Sequence, residues 1–113
     1  MREIKFRAWA PAMRKYRHDV EDVRYLLEYT DWIVEQYTGL KDKNGKEIYE
    51  GDIIQDSTFK DRGSYIMAVE WENEAASFVL TRKGWAFRHY FCESSNPEDC
   101  EVIGNIHENP ELL

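Results

Sequence analysis

The chain has 113 residues and a formal net charge of −7, which fits one domain with one modest core and argues against a protein that coats nucleic acid by bulk attraction. Aromatic residues make up 14% of the chain while glycine and proline are few, a balance that excludes disordered and collagen-like classes. No basic start leads into an apolar run and no apolar stretch approaches the ~20 residues that cross a bilayer, so the reading is soluble and cytoplasmic, without a membrane; two cysteines, Cys92 and Cys100, are too few for a disulfide framework.

In chain order, Ile4 to Trp9 alternates as a half-buried strand does, with Ile4, Phe6 and Ala8 on one side and Lys5, Arg7 and Trp9 on the other. Pro11 stops it, and a weaker extended piece is centred on Tyr16. Residues 19 to 36 fit two periods. Val20, Val23, Leu26 and Leu27 form a helical stripe, while Val23, Tyr25, Leu27 and Tyr29 alternate as in a strand. Asp19 as a cap, with Glu21 and Asp22 in a first turn, favours a short helix. Trp32-Ile33-Val34 then reads as a strand running toward Tyr37.

The stretch from Tyr37 to Ile54 holds the densest turn signals. Asn44-Gly45, between lysines, predicts a tight hairpin with positive φ at both central positions. Gly51-Asp52 predicts a second reversal, with glycine in a left-handed conformation and the Asp carboxylate accepting a local N–H. A polar loop covers 55–63. Tyr65 to Trp71 and Ser77 to Thr81 form a further hairpin around Glu72 to Ala75, and Trp85 to Phe91 is another candidate strand. Asn96-Pro97-Glu98-Asp99 has the form of a cap and one helical turn. Val102 to Ile106 closes the sheet, and Asn109-Pro110 starts a last turn. These pieces predict a mainly β domain over 1–113, a small barrel or folded sheet with little helix.

Phe6-Arg7-Ala8-Trp9, the whole run Tyr37 to Ile54, and Glu101-Val102-Ile103-Gly104-Asn105-Ile106-His107-Glu108-Asn109-Pro110-Glu111-Leu112-Leu113 together resemble the YopX family of phage and prophage proteins. The resemblance covers nearly the whole chain in order, and departs at Ala10, where the family tends to carry an acidic residue. It implies an SH3-type small barrel with additional hairpins and a tendency to oligomerise, and it brings no catalytic residue and no cofactor.

Three constellations carry chemistry to weigh. His89, Cys92, Cys100 and His107 are four groups of the kind that enclose zinc, but the second pair lacks the short separation of a metal knuckle, and the plainer reading is ordinary thiols and histidines. Glu47, Glu50 and Asp52 lie close together as hydrolase carboxylates do, yet carboxylates on turns beside Lys46 more often stay ionised in water. Lys5, Arg7 and Trp9 would present a stacking ring beside cations if their side of the first strand is exposed, the chemistry of a single-strand nucleic-acid platform; the competing role for Trp9, Trp32, Trp71 and Trp85 is packing.

Charge is unevenly placed, with +5 over residues 1–17 and −6 over residues 92–113. Either both ends are solvated faces that neutralise each other within the fold, or they meet across a subunit boundary. The expectation is a non-enzymatic phage or prophage accessory protein, a homo-oligomer that binds a host or phage protein. A nucleic-acid-binding module using the basic first strand is the alternative, disfavoured by net charge, and a small hydrolase ranks third.

Overall fold

Among the described residues strands hold 47% beside one α-helix, so the chain is mainly β, as the succession of turn-bounded apolar runs predicts. The computed structural model describes residues 3–59, 61, 63–84, 89–91 and 95–113. Among them, β1 (Phe6–Ala10), β2 (Lys15–Arg17), β3 (Ile33–Lys41) and β4 (Glu47–Tyr49) form an antiparallel sheet in the order β2-β1-β3-β4. β5 (Asp52–Asp56), β6 (Tyr65–Glu72), β7 (Ser77–Thr81), β8 (His89–Tyr90) and β9 (Cys100–Asn105) form a second, in the order β8-β7-β6-β5-β9. One sheet curls as a half barrel and a second sheet accompanies it, which fits the expected small β-barrel fold. Of the strand expected over 85–91, His89 and Tyr90 form β8, and 85–88 lie outside the described residues.

The larger core is built from Ile48, Ile54, Met67, Val69, Leu80 and Cys100, with Leu40, Tyr65, Phe78, Phe91 and Val102 packed around them. A smaller one, Ala8, Val20 and Leu26 with Phe6, Val23, Trp32 and Val34, lies under helix α1 (Val23–Tyr29). The helical reading of 19–36 is therefore the one that forms. Seven residues are too few to hold a helix alone in water, so α1 depends on burying Leu26, the one buried residue within it, and on Thr30, whose hydroxyl donates to the Leu26 carbonyl at 2.6 Å. The cap differs from expectation. Asp19 has φ 53 and serves as a turn residue, while Asp22 occupies the cap position without a side-chain capping bond. An aspartate tolerates the left-handed region, so the chain bends one turn earlier than the helix starts.

The β3–β4 hairpin also departs from the predicted two-residue turn. Gly45 has φ 79 whereas Asn44 is absent from the positive-φ residues, and the flanking bond runs from Asp42 N–H to the Lys46 carbonyl at 2.8 Å. The loop is thus three residues, 43–45, closing on glycine. Asp42 decides this: its Oδ1 accepts from the N–H groups of Asn44 and Lys46, both at 2.9 Å. Its Oδ2 accepts from Val102 N–H in β9 at 2.9 Å, and Lys43 N–H donates to the Cys100 carbonyl at 2.9 Å. One carboxylate therefore shapes the hairpin and fastens it to the other sheet.

Gly51 carries the chain between the sheets. It sits at φ 88, donates to the Val69 carbonyl at 2.8 Å and accepts from Ile106 N–H at 2.9 Å. Asp52 performs the predicted local bond, accepting Tyr49 N–H at 2.7 Å.

Asp42→Ala is expected to cost about 3 kcal/mol, because three N–H groups lose their acceptor, read as a fall in the urea midpoint. Burial pushes the Asp42 carboxyl up, but the N–H groups of Val102, Lys46 and Asn44 outweigh it and hold it below its ordinary value. A depressed carboxyl contributes stability above the unfolded pKa and loses it as pH falls through the folded one. The gap in Tm between the wild type and Asp42→Ala should accordingly narrow below about pH 4.

Candidate functional site

Three stretches far apart in the sequence converge between the sheets: Arg7 and Trp9 of β1, Asp52 behind the Gly51 turn, and His107 after β9. Arg7 stands opposite Glu35 in the β1–β3 register, and its Nε lies 2.9 Å from Glu35 Oε1 while Nη2 lies 2.9 Å from Asp52 Oδ1. Nη2 also donates to the Glu50 carbonyl at 3.2 Å. Tyr16 donates its hydroxyl to Glu35 Oε1 at 3.0 Å, and His107 Nε2 lies 2.9 Å from Glu35 Oε2. The guanidinium is held between two rings, 4.2 Å from the Tyr16 centroid and 4.8 Å from that of Tyr49. Trp9 stacks on His107 with 5.0 Å between centroids and 7° between planes.

Burial sets the electrostatics. Arg7, Glu35 and Asp52 have side chains exposed by 7%, 3% and 3%, so each charge has exchanged water for its neighbours. Burial opposes the Arg7 cation, but Asp52 and Glu35 outweigh it and hold its pKa above the ordinary value. Burial pushes the Asp52 carboxyl up against the pull of Arg7 and of Tyr49 N–H. The Tyr16 phenol is pushed far up, first by burial, with Arg7 opposing and Glu35 adding to the rise. Tyr49 rises to about 12, through burial and then the charge of Glu47. Both oxygens of Glu35 and of Asp52 are engaged within the cluster. The arrangement is suited to locking strands together: its carboxylates are committed to one another's partners.

The expected stacking platform is not presented in this chain. Trp9 is 4% and Arg7 6% exposed, and Lys5 pairs with Glu3 at 3.3 Å and Glu47 at 2.5 Å. The period-2 pattern places Lys5, Arg7 and Trp9 on one side of β1, but that side is covered by the Gly51 turn and the segment bearing His107. The carboxylates expected in water are also partly corrected. Asp52 is buried against Arg7, Glu47 is half-buried on Lys5, and Glu50 is half-buried, accepting Gln36 N–H at 3.2 Å.

Of the four candidate metal ligands, three lie among the described residues. Cys92 lies outside the described residues, His89 sits on β8, and His107 is taken up by Glu35 and Trp9. Cys100 is buried, its thiol 3.6 Å from Asp56 Oδ1 and 3.3 Å from the Asn96 carbonyl. Burial, then the charge of Asp56, pushes that thiol well up, away from the thiolate that binds zinc. Among the described residues no group of three His, Cys, Asp or Glu could hold a metal ion. Asp56 has a second task, accepting from Ser95 and Thr58 hydroxyls at 2.5 Å each and so tying the segment before β9 to β5.

Glu35 is the residue the sequence reading missed. Its signal was present: in β3 it shares the inward side with Tyr37, and an inward carboxylate in an antiparallel strand calls for a cation on the neighbour, which Arg7 supplies.

A family model described as YopX protein matches residues 12–113. The crystal structure of protein EF1440 from Enterococcus faecalis is similar at a TM-score of 0.67 and 25% identity, over 98% of each chain. The comparison with curated proteins finds no match.

Arg7→Met would leave two buried carboxylates without their cation and should cost about 3–5 kcal/mol, measured by denaturant unfolding. Gly51→Ala should also destabilise, since a Cβ there would overlap the Glu35 carboxylate at a backbone φ of 88.

Proposed function

The chain belongs to the YopX family, and from that premise we propose that it is a non-enzymatic phage or prophage accessory protein, cytoplasmic in a bacterial host, which self-associates and acts by binding a host or phage protein. The observation that carries this reading is the outer side of α1. Tyr25, Leu27 and Tyr29 are 57%, 63% and 72% exposed, and Ile33 at the start of β3 is 42% exposed. Scattered apolar side chains on a surface are ordinary, but Tyr25 and Tyr29, one helical turn apart with ring centroids 5.3 Å from each other, make an exposed aromatic pair of the kind that protein partners cover. No helix among the described residues is long and apolar enough to cross a membrane. The charged cluster supports the same reading from the other side. Its ionisable groups hold β1, β3 and β5 in place and do not line the grooves bounded by Glu3 and Val23, by Phe6 and Phe78, or by Ser64 and Leu113.

The nucleic-acid alternative is weaker on the same geometry. Arg7 is neutralised by two carboxylates and Trp9 faces His107, so neither is presented to a phosphate or a base.

Sedimentation velocity over a wide concentration range should show a mass that rises above that of one chain. A single-chain mass at every concentration and salt would sink the self-association. DNA or RNA binding at low salt that falls steeply with added salt and is lost in Lys5→Ala would favour the alternative instead.

A further inference from the structure

We propose that one copy of this chain inserts the Met13 tip of its β1–β2 turn into the groove between α1 and the β6–β7 hairpin of the next copy, a head-to-tail contact. This rests on the self-association reading above and names its interface. The groove, about 250 Å³, is lined by Phe6, Leu27, Val34, Trp71 and Phe78, with Glu50 also on its wall. Leu27 is 63% and Trp71 44% exposed, so its apolar lining meets water in the single chain. Burial pushes the Glu50 carboxyl up, with Gln36 N–H opposing the rise; a cation brought beside it would relieve that penalty.

The turn has the complementary chemistry. Met13 is 61% exposed and is followed by Arg14 and Lys15, both exposed, so the tip offers a flexible apolar side chain with two cations beside it. Methionine is suited to filling an irregular apolar slot. The two surfaces lie at opposite ends of one strand. Phe6, on the groove, begins β1, and the turn follows Ala10 at its other end, a separation of roughly 13 Å along the strand. The tip thus points away from its own groove and is placed to meet that of another copy. Each copy would offer one tip and one groove; with the tip and the groove of a copy engaging different neighbours the contact is heterologous, and assembly closes into a ring or continues as a filament.

The test uses Met13→Glu and Leu27→Glu, at two well-exposed positions where the fold does not depend on the side chain, with unchanged thermal melts as the check. Each variant alone should weaken self-association about tenfold or more. Their equimolar mixture should form a two-chain species, because the intact tip of Leu27→Glu still fits the intact groove of Met13→Glu. Trp71 emission should shift to the blue as the wild type assembles. Wild-type assembly that both variants retain would overturn this interface and leave self-association standing. Variants that dissociate but never pair when mixed would overturn the head-to-tail geometry. A wild type that stays a single chain throughout would overturn the self-association reading itself.

Discussion

A buried guanidinium is the constraint on which the rest of this structure turns. Arg7 has nearly no water around it, and a cation in that position is tolerable only if carboxylates and hydrogen-bond acceptors arrive from elsewhere in the chain. They arrive from β3 through Glu35, from β5 through Asp52, and from the Glu50 carbonyl between them. Each of these partners is fixed in turn by backbone: Glu35 by strand register, Asp52 by the Tyr49 N–H, Glu50 by the turn it begins. Satisfying one charge therefore fixes the relative placement of two sheets. Apolar packing supplies the larger share of the driving force, but it is less selective about angle and register than a forked donor between two carboxylates.

The passage between the sheets follows from the same demand. The Glu35 carboxylate presses against the backbone of Gly51, where no side chain fits, and this lets Asp52 approach Arg7 from the far side. The C-terminal segment completes the enclosure, with the His107 ring lying flat on Trp9 and reaching the remaining oxygen of Glu35. Phe6 to Trp9, Gly51-Asp52 and His107 are members of the three segments that carry the family resemblance. In this chain the three segments build one another's surroundings.

Much of the fold was legible from local rules. Turn residues and apolar runs placed the strands, because glycine, proline and alternation act within a few residues. The Gly51-Asp52 reversal was predicted with its hydrogen bond. The errors arose where a distant partner overruled a local preference. Asn44-Gly45 would suit a two-residue turn, but Asp42 accepts from Asn44, Lys46 and the remote Val102, so the wider loop wins. Whether Lys5, Arg7 and Trp9 face water was left open for a related reason: alternation distinguishes the two sides of a strand but does not reveal whether both are covered, and Trp9 takes the packing role. Residues 23–29 were ambiguous in sequence because Tyr25, Leu27 and Tyr29 mimic strand alternation, while only Leu26 is buried in the helix that forms.

The outer strands bear on how such a molecule could associate at all. Among the described residues β2 and β4 have three residues each and β8 two, and all three lie at sheet margins; β9, at another margin, has part of its backbone occupied by the Asp42 loop. Short or covered margins present too few free amide and carbonyl groups to template a further strand. Margins of this kind disfavour edge-to-edge stacking, and any contact between copies would fall to side chains, which can be tuned, saturated and reversed in ways that main-chain templating cannot.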